Sequence, residues 1–135
     1  MSYPVMKIEG IGPKYGKKLN AIGVMTTAKL LDRAKDPKGR TQLAADSGID
    51  ETYILKWANM SDLMRIKGVG EEYSELLEVA GVDTVKELRN RKPENLHAKM
   101  VEVNAAKKLV RALPSPNKVK SWVEQAKSLK PVMKY

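Results

Sequence analysis

Two short runs in the chain put glycine where an anion could approach the backbone. Gly10-Ile11-Gly12 and Gly68-Val69-Gly70 each hold an apolar residue between two glycines. Such a turn can take positive φ, and the missing Cβ lets a partner come close to its amides. Those amides, together with the start of a following helix, suit an anionic oxygen such as a backbone phosphate. Contacts of that kind ignore base sequence and weaken with salt.

The residues that follow separate the two turns. After the first come Lys14, Lys17 and Lys18, so Gly10, Ile11, Gly12, Lys14, Lys17 and Lys18 form the candidate nucleic-acid-binding set. After the second come Glu71, Glu72, Glu75 and Glu78. Carboxylates there favour the helix dipole but repel a phosphate, so Gly68, Val69 and Gly70 are read as a structural turn. A plainer reading covers both: Gly-apolar-Gly is a tight way to join two helices, with the apolar residue plugging the core.

Catalytic chemistry finds little to work with. There is no cysteine, His97 is the one histidine, and neither a phosphate-binding GKS/T loop nor an HExxH pair occurs. The expectation is a non-enzymatic protein without metal or cofactor. His97 is expected at the surface or at a cap, and Arg65 beside its near neighbour Asp62 rather than against a phosphate. Trp57 and Trp122 fall at core-like helical positions, and Met6, Met25, Met60, Met64 and Met100 read as core filler.

The elements that carry the turns follow from an internal repeat. Residues 8–33 align with residues 66–91 at an offset of 58, with ten of 26 pairs identical, among them Tyr15/Tyr73, Leu19/Leu77, Gly23/Gly81 and Thr26/Thr84. Tyr73, Leu76, Leu77 and Ala80 share one helix face, as do Tyr15, Leu19 and Ile22. Gly23 and Gly81 stand where a left-handed C-cap is wanted. Thr26 and Thr84 are N-caps for short second helices carrying Leu30 and Leu88.

Upstream of the second turn, Ser61 to Ile66 reads as a short helix capped by Ser61, which makes a helix-hairpin-helix. Upstream of the first, Pro4 to Ile8 allows little more than a turn. Further helices are expected from Pro37 to Ser47 with a stop at Gly48, and from Asp50 through Tyr53, Ile54 and Trp57. Another begins at Pro93 and runs through Leu96, Met100 and Val103, pausing near Asn104 before continuing to Leu113. Ser115 and Pro116 open a last amphipathic helix through Val119, Trp122, Val123, Ala126 and Leu129, expected to lie across the bundle. The fold class is therefore all-α: tandem helix-hairpin-helix repeats with additional packing helices, a pseudo-twofold bundle of SAM-domain-like type. Residues 1–63 form the first repeat, 64–113 the second, and 114–135 the closing helix and basic tail, all in one compact domain.

Composition agrees. The chain has no Phe and only 5% aromatic residues, so its core is built from Leu, Ile, Val, Met and Ala. Lack of cysteine fits a reducing cytoplasm, and no apolar run reaches membrane-spanning length, so no membrane partner is expected. The net charge of +9 invites a polyanion. It sits at the two ends: residues 1–65 carry 11 bases and 7 acids, residues 66–113 carry 9 and 8, and residues 114–135 carry five lysines and one glutamate. A solvated, lysine-rich surface kept for solubility is the alternative.

Taken together, IEGIGPKYGKKL, LAADSGI, LKWANMSDLMRIKGVGEEYSELLEVAGVDTVKEL, ENLHAKM, LVRALPS and KSWVEQAK resemble the DUF4332 family of helix-hairpin-helix proteins. The resemblance spans nearly the whole chain. It implies the fold and carries over no catalytic residue. More distantly, the two turns are similar to the hairpins of DNA repair proteins, of topoisomerases and of the C-terminal domain of the RNA polymerase α subunit. The phosphate role of those hairpins transfers to Gly10, Ile11, Gly12 and Lys14. At the second turn Glu71 and Glu72 depart from the basic pattern. The expected function is weak, sequence-independent binding of a DNA or RNA backbone through the first turn. The alternative is a protein-interaction or self-associating scaffold module with purely structural turns.

Overall fold

Short-range capping signals set most helix boundaries. In a computed structural model, which describes residues 2–135, the chain forms a 3-10 turn, Val5–Lys7, and eight α-helices. These are α1 Gly12–Ala21, α2 Thr27–Ala34, α3 Pro37–Ser47, α4 Glu51–Leu63, α5 Glu71–Val79, α6 Val85–Leu88, α7 Pro93–Lys107 and α8 Pro116–Ser128. The fold is all-α, and among the described residues the only β feature is one isolated bridge, Pro4 to Thr26.

Thr26, Asp36, Asp50, Thr84 and Ser115 each accept a backbone N–H from the helix they precede, filling donors that a helix start leaves open. Gly23, Gly48 and Gly81 follow α1, α3 and α5 with positive φ, as their positions require.

The buried side chains form two clusters. One holds Val5, Ile8, Ile11, Leu19, Leu30, Leu43, Ile54 and Trp57 with their neighbours. The other holds Ile66, Val69, Leu76, Leu77, Leu88, Leu96, Met100, Val119 and Trp122 with theirs. The end of α4 belongs to both: Met60 and Met64 lie in the first cluster, Leu63 in the second. At that junction Asp62, 1% exposed, accepts the Val85 N–H at 2.8 Å and pairs with Arg65, as its position three residues away allows.

Four expectations need correction. Ser61 caps no helix: α4 runs unbroken through it, because no residue between Ile54 and Leu63 interrupts the helical pattern, and Ser61 is buried inside it. Met60, Met64 and Met100 are core residues, but Met6 and Met25 are 45% and 59% exposed. Met25 sits between buried Val24 and the cap Thr26 in extended chain, so alternation turns it outward. Helix α7 does not continue to Leu113. It ends at Lys107, where Lys108 takes φ 53°, and Asn104 both accepts the Val110 N–H (3.0 Å) and donates to its carbonyl (3.2 Å). That side chain holds the irregular segment the sequence pattern reads as helix.

Finally, α8 does not span the bundle. It packs on α6 and α7, with Val119, Trp122, Val123 and Ala126 in the second cluster. The residues that cross to the first half are those after it. Lys130 C=O accepts from Arg65, Lys134 N–H donates to Lys35 C=O, and Arg40 donates to Lys134 C=O. Tyr135 donates its hydroxyl to Asn59 at 2.6 Å.

Candidate nucleic-acid interface

Both Gly-apolar-Gly turns close the same way. The Ile11 N–H donates to Ile8 C=O at 3.2 Å, and the Val69 N–H to Ile66 C=O at 3.1 Å. Gly10 and Gly68 have φ near +95°, a conformation that glycine adopts without strain (94° and 96°). Ile11 and Val69 are 1% and 0% exposed, so each plugs its half of the core and only its backbone can meet a partner.

Behind each turn stands a tryptophan. A Cβ added at Gly10 would lie 3.9 Å from Trp57 Nε1, and one at Gly68 would lie 3.1 Å from Trp122 Nε1. Tyr15 packs on Trp57 (5.3 Å between ring centres) and Tyr73 on Trp122 (5.2 Å).

Beyond that shared frame the turns diverge. At the second, Gln125 of α8 clamps the backbone of Lys67, accepting its N–H at 3.0 Å and donating to its carbonyl at 3.2 Å. The corresponding residue of α4 is Met60, which has no such group, and among the described residues no side chain clamps Glu9 in this way. The second glycines differ too: Gly12 has φ +62°, whereas Gly70 is extended at φ −102°.

The charges follow the same division. The first turn of α1 holds no acid, while α5 begins with Glu71 and Glu72. Lys14 and Lys17 are exposed and Lys18 half-buried, and none of the three pairs with a carboxylate among the described residues. The Lys14 ammonium lies 5.9 Å from the Tyr15 ring centre. The second turn instead opens on a cleft of about 410 Å³ lined by Tyr3, Lys7, Gly68, Gly70, Glu71, Glu72 and Tyr73. An anion entering it would meet two carboxylates.

Carboxylates also gather behind the first turn. Glu75 is held above the ordinary glutamate range by burial first, then by Glu9, with Lys56 opposing. The lysines of α8 are distributed differently from those of α1: Lys118 and Lys120 are exposed on the second half, and Lys127 pairs with Glu124 at 3.1 Å. His97 is half-buried, with one ring nitrogen 2.9 Å from Pro114 C=O.

One feature beside the first turn has no signal in the turn motif. Tyr53, in the first turn of α4, stacks on Trp57 at an interplanar angle of 16°, and its centre is 5.9 Å from the indole. It is 49% exposed. The i, i+4 spacing of Tyr53 and Trp57 was the available sign, but spacing alone does not say which ring faces outward.

No helix among the described residues is long and apolar enough to cross a membrane. The model of a family described as a domain of unknown function, DUF4332, matches residues 9–129. No curated protein and no solved structure matches the chain.

Proposed function

The chain belongs to the DUF4332 family, whose description carries no activity, and from that starting point we propose a non-enzymatic protein that binds nucleic-acid backbone weakly and without sequence preference. In this reading the two turns are helix-hairpin-helix units and the first is the working one. The backbone at Gly10 and Gly12, on either side of the Ile11 N–H that closes the turn, holds a phosphate oxygen, and Lys14, Lys17 and Lys18 neutralise its neighbours. The observation that carries the proposal is the asymmetry between the turns. The second is clamped by Gln125 and fronted by Glu71 and Glu72, whereas among the described residues no such side chain clamps the first, and its three following lysines have no carboxylate partner.

The test is a salt titration of binding to a short fluorescent duplex, with wild type compared to the Lys14→Ala/Lys17→Ala/Lys18→Ala variant. Binding that weakens steeply with salt and is lost in the variant supports the reading. Absence of binding at low salt ends it.

A protein-interaction role is the second reading, and one observation favours it. Exposed Met6 and Met25 flank a groove of about 330 Å³ with Pro4, Val5 and Asn20. Methionine-lined grooves adapt to apolar side chains. A Met6→Lys/Met25→Lys variant that loses a protein partner while keeping duplex binding would assign the groove to that second role.

A further inference from the structure

We propose that the first half binds single-stranded nucleic acid in preference to duplex, with Tyr53 as the platform on which a base stacks beside the phosphate held at Gly10–Gly12. This rests on the backbone-binding reading above and adds to it the class of strand and the residue that selects it.

Three aromatic rings run from the turn to the surface. Trp57 is 2% exposed and stands against Gly10. Tyr15 leans on Trp57 and on Tyr53, with centres 5.3 and 5.8 Å away. Tyr53 completes the group, nearly parallel to the indole and half exposed. Lys14, next to Tyr15 on α1, supplies a cation to the same patch. Turn amides, a lysine and an exposed ring are the parts from which single-strand sites are built. Each base has a π-face to stack, and the backbone follows the positive charge.

A duplex cannot use this ring, because its bases are already stacked within the helix, whereas an unpaired base can turn outward onto it. The carboxylates nearest Tyr53 in sequence are engaged locally: Asp50 accepts from the Thr52 N–H and hydroxyl, and Glu51 accepts the Thr41 hydroxyl at 2.7 Å.

The fold does not require a ring here. Helices α4 and α8 are both 13 residues long and correspond at a spacing of 65, which pairs the caps Asp50 and Ser115 and the indoles Trp57 and Trp122. At that spacing Tyr53 corresponds to Lys118. The second half packs Tyr73 on Trp122, with no third ring among the described residues.

The experiment is fluorescence anisotropy with a labelled oligothymidylate and a labelled duplex of equal length. The proteins are wild type, Tyr53→Leu, Tyr53→Phe and the Lys14/Lys17/Lys18→Ala variant. Leucine keeps an apolar cover over Trp57 but offers no ring, and phenylalanine keeps the ring. The expected result is tighter binding of oligothymidylate than duplex by wild type. Tyr53→Leu should weaken the single strand about tenfold and leave the duplex unchanged, with Tyr53→Phe close to wild type. If Tyr53→Leu binds oligothymidylate as wild type does while the lysine variant loses both ligands, stacking is wrong and the backbone reading stands. If wild type binds neither ligand at low salt, the backbone reading fails and this proposal falls with it.

Discussion

Trp57 and Trp122 hold the same place in the two halves, each with its indole nitrogen directed at the first glycine of a turn. The clearance differs: a Cβ at Gly10 would meet Trp57 Nε1 at 3.9 Å, an ordinary contact, while one at Gly68 would meet Trp122 Nε1 at 3.1 Å. Both glycines also have positive φ, which costs an L-residue about 1–2 kcal/mol. Gly10→Ala should therefore lose about that much in urea denaturation, and Gly68→Ala more, because the indole must also give way. Equal losses would show that backbone strain alone sets the cost.

Asp62 ties α4 to α6 from a position closed to water. Its carboxylate accepts the buried Val85 N–H and two guanidinium donors of Arg65, at 3.0 and 2.5 Å. Asp62→Ala strands the Val85 donor and removes the counter-charge of Arg65, at a cost of about 3 kcal/mol. Asp62→Asn still offers an oxygen to Val85 and should cost less. Chemical denaturation of both variants tests the order.

The hydroxyl of Ser61 is buried with no hydrogen-bond partner among the described residues. Its counterpart in α8, at the spacing of 65, is Ala126, which is likewise buried. Replacing an unsatisfied hydroxyl by hydrogen removes a desolvation cost, so Ser61→Ala should stabilise the fold, by about 1 kcal/mol. A lowered melting temperature for Ser61→Ala would contradict this.

Burial pushes the Glu78 carboxyl above the ordinary value of 4.5, with Lys56 opposing and Asp83 adding to the rise. Its Oε2 is buried without a partner among the described residues. The folded protein therefore binds this proton more tightly than the unfolded chain does. The associated stability is complete below pH 4.5 and lost as pH rises through the folded-state value. Glu78→Gln should match wild type in acid and exceed it at neutral pH in denaturant titrations. Glu75, shifted the same way, leaves a residual slope in the variant.

Much of the architecture was legible because its signals are local. A cap such as Thr26 or Ser115 acts on an N–H three residues on, and a left-handed stop such as Gly23 or Gly48 acts on its own φ. Interactions over so short a span are written into neighbouring residue types. Ser61 misled for the same reason: its type suits a cap, but α4 was already under way. The two Gly-apolar-Gly turns were legible as turns, since each first glycine can take the positive φ that a short connection needs. The packing of Tyr53 was not, because it depends on a neighbour, Tyr15, nearly forty residues away.

Residue types and their spacing are enough for an all-α chain with an internal repeat, capped helices and lysines after the first Gly-apolar-Gly turn. Which surfaces meet is set by packing instead. Helix α7 has 15 residues where α3 has 11, and a longer connection follows it. The repeat therefore slips from an offset of 58 to one of 65, which hides the equivalence of α8 and α4 from a comparison made at 58. The path of residues 130–135 over the first half, the outward turn of Met6 and Met25, and the clamp from Gln125 to Lys67 all depend on groups far apart in the chain. Such contacts form once packing has brought the elements together, and no short-range pattern encodes them.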